Sequence, residues 1–455
     1  MFSPQEGGRG LSPRPLLFFV FVKFIPKIWE YKKYSLPCSK IKKYMYYSKK
    51  IFPTNPFFIT PETPEGFLVP RDAETKNLVR MLDNGANVVL AGDRHLGKTT
   101  FLLQMLRQEG ARRGGCALYV DLEHTRTTFD FLEALMDSLR GRGCCTFPES
   151  FCQDVTGAVL RLETLCGGCD EYRQEQARWV IDDVFDMLRG YPYATVVFDE
   201  FQAIERYPNR MAALLRSKIQ LMQTRFVFAG SDTRTLYDMF GSYSQPFYCS
   251  ASYMRLDKVS LDAYADFCGR MFSLYGKAVD RDAVRLAYEL VLGDLLALQK
   301  VMAATFSLTG EDATATVETV RDGIDAVLDN ADDAYRRLYL RMKDSDRNIV
   351  TLAAERGLVQ GIMSAGTIQA YRLGPTSSVL NRVKKMTEGE EPVLRRRNDI
   401  YFLSDVLLGL WVARVRGRLE ERLEKAPRLY SEYADSLKIK IPGALSLDMT
   451  KRNRK

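Results

Sequence analysis

No stretch of this 455-residue chain is apolar for long enough to cross a bilayer. A spanning helix needs about 20 apolar residues, and the run Leu16 to Val22 is broken by Lys23 and followed by Pro26. Basic residues flank that run on both sides and no small-residue cleavage site follows it, which argues against a secretory signal. No internal repeat or low-complexity block is visible, so a repeat architecture is excluded. The body also lacks an excess of basic charge. The whole chain carries a net +8, but residues 1–50 alone hold 11 Lys or Arg against 2 Asp or Glu. The remainder is close to neutral, so the global charge does not indicate a DNA-binding body.

What is present is the composition of a globular protein, 46% hydrophobic and 27% charged, with length for about two to four domains. Residues 1–52 read as a basic, disordered or loosely helical extension, with Met45 as an alternative start. A membrane-surface anchor built on Phe18, Phe19, Phe21, Phe24 and Trp29 is the rival reading. Nine cysteines without a secretory signal point to a reducing, cytoplasmic setting.

Short apolar strands alternate with helical patterns from Asp72 onward. The strands are Asn87 to Ala91, Ala117 to Val120, Ala194 to Phe198 and Phe226 to Ala229. Helices are expected over Asp72 to Leu82, Thr99 to Arg107, Phe129 to Leu139, Tyr172 to Leu188 and Ala212 to Met222. Cys144 to Cys169 reads as irregular. Continuous apolar strands separated by helices predict a parallel sheet covered on both faces. From Leu261 the strand patterns largely stop. Amphipathic helices follow over Leu261 to Tyr275, Ala283 to Leu292 and Leu295 to Phe306, with one long polar helical stretch from Ala313 to Lys343.

The chemistry is concentrated in one segment, Gly92-Asp93-Arg94-His95-Leu96-Gly97-Lys98-Thr99, followed by Thr100. It fits G-x-x-x-x-G-K-[ST] between a strand and a helix. Glycines let the backbone curl so that its N–H groups face phosphates, Lys98 adds a point charge, and Thr99 offers a hydroxyl to Mg²⁺. The helix that follows turns its positive end toward the same phosphates. About 100 residues later, Thr195-Val196-Val197-Phe198 delivers Asp199 and Glu200 at the end of a strand. Asp199 is the expected Mg²⁺ partner and Glu200 the expected base for an attacking water. Ser231, after the strand Phe226 to Ala229, is placed to report the γ-phosphate, or else caps a helix.

These residues resemble the archaeal-type ATPases of the AAA+/STAND group. The resemblance runs from Asn55-Pro56-Phe57 and Phe67 to Glu74, through the phosphate loop, Asp199-Glu200-Phe201-Gln202 and Gly230-Ser231, to Pro246-Phe247-Tyr248 and a winged-helix pattern. It covers residues 53 to about 420. It implies an α/β P-loop AAA+-like fold, a parallel sheet with helices on both faces, followed by an all-helical lid domain and a winged-helix domain. The implied division is 53–256, 257–342 and 343–425, with a basic tail over 426–455 that ends Lys451 to Lys455 and leaves no room for a nuclease domain. Two departures stand out. Cys249-Ser250 replaces the family's Gly-Arg, which leaves Arg255 unassigned, and Gly293-Asp294-Leu295 stands where the family carries a Gly-x-Pro turn.

Toward the C-terminus, Thr367 to Arg372 reads as a helix, Leu373-Gly374-Pro375 as a turn and Thr376 to Met386 as a second helix. Val393 to Arg396 and Ile400 to Leu403 read as a hairpin wing. Ser377, Ser378, Asn381, Arg382, Lys384 and Lys385 would reach phosphates or bases of double-stranded DNA, unless the module serves protein contacts or a homo-oligomer instead. Cys166-Gly167-Gly168-Cys169 has half the spacing of a zinc site, but no second CxxC accompanies it. Cys144, Cys145, Cys152, Cys166 and Cys169 therefore read as reduced thiols. The expected activity is ATP hydrolysis with Mg²⁺, driving rearrangement of the helical and winged-helix parts. The alternatives are a nucleotide-gated switch with negligible turnover and a helper ATPase acting on DNA.

Overall fold

Five strands, β1 (Val88–Ala91), β2 (Ala117–Asp121), β3 (Thr195–Asp199), β4 (Arg225–Gly230) and β5 (Ser252–Arg255), form one parallel sheet in the order β2-β3-β4-β1-β5. The computed structural model describes residues 53–113, 116–140, 146–165, 170–207, 210–388 and 392–437. The sheet is built by the two-residue period of its side chains. Val89, Ala91, Leu118, Val120, Val196, Phe198, Phe226 and Phe228 bury in one core. Val88, Leu90, Tyr119, Val197, Val227, Ala229 and Met254 bury in the other. Every strand but β5 is buried nearly throughout, which is why these segments read as continuous apolar runs.

Helices α1 (Asp72–Asp83) and α2 (Lys98–Arg113) contribute to the second core. Helices α3 (Thr128–Arg140), α4 (Glu149–Leu165), α5 (Asp170–Leu188), α6 (Met211–Ile219) and α7 (Thr233–Gly241) contribute to the first. Two local expectations are corrected here. The stretch expected to be irregular between Cys144 and Cys169 contains α4, because Phe151, Val155 and Val159 repeat at helical spacing and all three are buried. Strand β5 was not expected, because only Met254 of its four residues is buried at the sheet edge.

The next part is helical: α8 (Leu261–Leu274), α9 (Arg281–Leu290), α10 (Leu295–Leu308), α11 (Val317–Asn330) and α12 (Asp332–Arg341). The single helical stretch expected from Ala313 to Lys343 is in fact a strand and two helices. Thr314–Ala315 (β7) pairs with Ala278–Val279 (β6), a Thr316–Thr319 capping box opens α11, and the chain breaks at Ala331. Asp332 there accepts from the Trp411 indole N–H at 2.8 Å, and Tyr335 packs tilted and Tyr339 edge-on against the same ring. Asn55 Nδ2 donates to the Ala303 carbonyl at 2.8 Å, and Phe57 packs edge-on against Phe267 and Phe272. The Asn-Pro-Phe string thus fastens the entering chain to the helical core.

The last part contains α13 (Asp344–Arg356), β8 (Val359–Gln360), α14 (Ala365–Ala370), α15 (Thr376–Glu388), β9 (Leu394–Arg397), β10 (Ile400–Leu403), α16 (Val406–Val415) and α17 (Leu419–Ser436). Strands β9 and β10 form the antiparallel wing, turning at Asn398, which adopts a positive φ of 51°. Helix α17 continues past residue 425 into the expected tail, because Ala426, Leu429 and Tyr433 are buried. No described helix is long and apolar enough to cross a membrane. The aromatic residues Phe18 to Trp29 and the tail Lys451 to Lys455 lie outside the described residues.

Candidate active site

Strand β1 ends at Ala91 and the phosphate loop starts at Gly92, whose N–H donates to the Gly230 carbonyl at 3.3 Å. A Cβ at Gly92 would stand 2.8 Å from the Leu256 carbonyl, so a side chain does not fit. His95 and Gly97 both hold positive φ, 64° and 75°. For glycine this is free; for His95 it stores strain in the loop. The loop then enters α2 at Lys98.

Lys98 is buried, and its Nζ donates to the Asp93 carbonyl at 2.9 Å. Burial lowers its pKa, while Glu200 and Asp199 pull it back up. Thr99 Oγ1 donates to Asp199 Oδ2 at 2.8 Å, and the Tyr119 hydroxyl donates to the same oxygen at 2.8 Å. The other carboxylate oxygen of Asp199 accepts from the Glu200 N–H at 3.0 Å. Burial first, and the charge of Glu200 second, raise the Asp199 pKa. Tyr119 was missed in the sequence. Its signal was strand alternation on β2, which leaves its ring with the buried residues and its hydroxyl at Asp199.

Glu200 itself is in the left-handed region at φ 51°. Its Oε2 accepts from Ser231 Oγ at 2.8 Å and Ser231 N–H at 3.2 Å, and from the Gln202 amide. The strand order explains this meeting, since β4 lies between β1 and β3 and delivers Ser231 between the loop and Glu200. The helix cap at this point is Asp232, which accepts from the Thr235 N–H at 3.1 Å, so Ser231 is not the cap.

Three contacts from distant parts brace the loop, and sequence reading assigned none of them. Arg71, buried, donates to the carbonyls of Leu96 and Asp257, each at 2.8 Å, and to Glu74 at 3.0 Å. The turn Gly293-Asp294-Leu295 packs directly on the loop. Asp294 uses one oxygen to cap α10 through the Ala297 N–H at 3.0 Å and the other to bind the His95 ring at 3.0 Å. Leu295 N–H donates to the His95 carbonyl at 3.2 Å. His95 is exposed, although its Nδ1 is held by Asp294. From the wing, Arg397 is ion-paired with Asp93. Burial would raise the Asp93 pKa, but Arg397 and Arg395 outweigh it and hold the carboxyl below the usual range.

A cavity of about 330 Å³ opens at this point. Arg94, His95, Gly97, Lys98, Thr99 and Thr100 line it with Glu200. Asp93 turns instead to Arg397, and Leu96 buries in the core beside α2. Phe58, Phe67, Leu68 and Val69 form an apolar part of the lining, with Leu295, Leu296 and Gln299 from α10.

On the winged-helix part, Ser377, Asn381, Lys384 and Lys385 are exposed on α15 and Ser378 is half-buried. Arg382 is committed inward, donating to the Leu373 carbonyl at 3.2 Å beside Asp346. Among the described residues, no group of three or more His, Cys, Asp or Glu side chains could hold a metal ion. Cys144, Cys145, Cys166 and Cys169 lie outside them, while Cys152 is on α4.

Residues 333–414 match the family described as "Probable winged helix domain". No curated protein matches the chain by sequence. Among solved structures, the Walker-type ATPase PABY2304 of Pyrococcus abyssi is similar with a TM-score of 0.54 and 17% identity, over 78% of this chain and 99% of that one. The Aeropyrum pernix ORC2 protein in its ADPNP–ADP complexes gives 0.47 at 15% identity, over 81% and 96%. The Aeropyrum pernix ORC1 protein in complex with DNA gives 0.47 at 13%, over 84% and 98%. The likeness to the Pyrococcus abyssi structure shows the fold alone: an α/β chain folded like a Walker-type ATPase. Its sheet is followed by a helical part and a winged-helix domain.

Proposed function

We propose that this chain binds ATP in the cavity beside Lys98 and hydrolyses it, and that the cycle moves the helical and winged-helix parts, which we divide at 257–342 and 343–425. The observation that carries the reading is the bonded series Thr99–Asp199–Glu200–Ser231 beside a buried Lys98. Lys98 and the start of α2 receive the phosphate charge. Thr99 and Asp199 put two hard oxygens side by side, a donor set that fits Mg²⁺, which would supply charge neutralisation at the phosphates. Glu200 orients a water for in-line attack on the γ-phosphorus. The new P–O bond forms as the bond to the β-phosphate oxygen breaks, the water proton passes to Glu200, and ADP and phosphate leave. Ser231, bonded to Glu200, ties that carboxylate to the end of β4.

Steady-state turnover of wild type, Lys98→Ala and Glu200→Gln, each with and without duplex DNA, tests this. Lys98→Ala is expected to lose nucleotide binding. Glu200→Gln should keep binding and lose turnover by about 100-fold or more. Undiminished turnover in Glu200→Gln would sink the base assignment.

One observation favours a switch with little turnover: Glu200 is already held by three donors, from Ser231 and Gln202. Tight ATP binding with almost no phosphate release identifies that outcome. DNA contact is assigned to Ser377, Ser378, Asn381, Lys384 and Lys385 on α15. A mobility shift that is absent even at low salt would remove it. The thiols of Cys116, Cys249 and Cys268, which form no disulfide, support a reducing, cytoplasmic setting.

A further inference from the structure

Asp199 is only 2% exposed, and two hydroxyls converge on one of its oxygens. Thr99 Oγ1 and the Tyr119 hydroxyl both donate to Oδ2 at 2.8 Å, while the Glu200 N–H donates to Oδ1 at 3.0 Å. Two donors fill the two lone pairs of Oδ2. The sheet register arranges this. Tyr119 on β2 pairs with Val197 on β3, and Asp121 pairs with Asp199, so Tyr119 stands two residues short of Asp199 on the adjacent strand. That gap is about 6.6 Å along the strand, and the phenol spans it. The ring of Tyr119 packs with Val197 in the second core. A phenylalanine ring would fill that place, so what the tyrosine adds is the hydroxyl at Asp199. Thr99 lines the cavity. Its hydroxyl has one proton and two lone pairs. With the proton on Asp199 Oδ2, the lone pairs turn away from that carboxylate and are free for a cation.

We infer that Tyr119 is a positioning residue for the divalent cation: by pinning Asp199 Oδ2 from β2, it fixes the direction in which Thr99 presents its oxygen. The inference rests on the reading of the cavity as a site for a nucleoside triphosphate with Mg²⁺. Mg²⁺ demands near-ideal octahedral geometry, so it is sensitive to the direction of each ligand. Groups that hydrogen-bond to metal-site ligands set about 10- to 100-fold in metal affinity. Without the phenol hydroxyl, Asp199 is free to turn, and Thr99 loses its fixed acceptor. Lys98 and the loop backbone receive the phosphates by themselves, so metal-free nucleotide binding does not use Tyr119.

The test is binding of the non-hydrolysable analogue AMPPNP to the full chain, in EDTA and across a Mg²⁺ titration, with bound Mn²⁺ counted by EPR as a second readout. The proteins are wild type, Tyr119→Phe, Asp199→Asn and the double variant. Tyr119→Phe is expected to raise the half-saturating Mg²⁺ concentration and the Mn²⁺ Kd by about tenfold, to keep AMPPNP affinity in EDTA within about twofold, and to recover wild-type affinity in excess Mg²⁺. The double variant should match Asp199→Asn within about twofold, because the hydroxyl acts only through that carboxylate. This comparison decides the matter even where Tyr119→Phe alone fails to fold. An unchanged Mg²⁺ requirement in Tyr119→Phe, an equal loss in EDTA, or a further rise in the double variant overturns the inference and leaves the nucleotide site standing. Wild-type protein that binds no AMPPNP, or binds it indifferently to Mg²⁺, overturns the nucleotide reading and the inference with it.

Discussion

Arg397, the last residue of β9 in the wing, is ion-paired with Asp93, the second residue of the phosphate loop, across 304 positions of sequence. Both side chains are largely shielded, 25% and 19% exposed. Arg395, on the same strand, adds its charge, and one of its guanidinium nitrogens is buried with no partner. The wing therefore touches the loop that would hold the phosphates. Arg397→Ala is expected to cost about 1 kcal/mol of stability and to speed release of a fluorescent nucleotide several-fold. Stopped-flow release measures the second effect. The sign with pH follows from the depressed Asp93 pKa. The stabilisation is present above the ordinary carboxylate range and is lost as pH falls through the lowered value. Unchanged release in Arg397→Ala would show that the pair does not restrain the loop.

Gly230 sits where Gln202 reaches across to Glu200. A Cβ there would come 2.0 Å from Gln202 Oε1 and 3.0 Å from Leu236 Cδ1. Gln202 is the end of a flexible side chain, so Gly230→Ala should fold while pushing Gln202 off Glu200. Nucleotide affinity is expected to stay within about twofold and turnover to change by about tenfold. A turnover unchanged at equal affinity would show that Gln202 does not set the position of Glu200.

Lys258 packs over the Tyr433 ring at 4.1 Å and donates to the Leu292 carbonyl. Burial lowers its pKa to about 7. Asp294 and Asp93 oppose that shift, while Arg395 and Arg397 add to it. The unfolded chain then binds more protons than the native one between about pH 7 and the ordinary lysine range, so stability rises with pH through that window. Below pH 7 the full cost of the buried charge is present. Lys258→Met should flatten the rise and raise the melting temperature at pH 6.5 by several degrees. Parallel melting curves of the two proteins from pH 6.5 to 9.5 would disprove it.

Arg422, on α17, is 6% exposed, and its Nε and Nη1 have no partner. Burial alone lowers its pKa to about 10. A buried cation without a counter-charge is costly, and an apolar chain of similar length is tolerated better. Arg422→Met is expected to raise stability by about 1 kcal/mol or more in urea unfolding. The opposite change is next door. Gly357 has φ +76°, and a Cβ there would overlap the Arg422 guanidinium. Gly357→Ala should therefore destabilise, and should do so less in the Arg422→Met background. Equal costs in the two backgrounds would separate the residues.

By itself the sequence determined the elements and the phosphate loop. A buried parallel strand must be apolar on both faces, so β1 to β4 showed as runs, and the loop showed because phosphate binding demands glycines and a lysine at set spacing. The pair Asp199-Glu200 was legible for the same reason, as charge ending an apolar strand. Edge strand β5, with Met254 alone buried, left no run to read, and α4 was obscured by the cysteines and glycines around it. Only the tertiary structure decided who meets whom. Tyr119 reaches Asp199 because β2 and β3 are adjacent. Ser231 reaches Glu200 because β4 lies between β1 and β3. Arg71, Asp294 and Arg397 reach the loop from three separate parts of the chain. Such contacts join residues tens to hundreds of positions apart, and one unaligned sequence has no local period that records them. The Asp294 turn makes the point most clearly. Its departure from the family pattern offered no expectation of a contact, yet packing sets it directly on His95 and Gly97.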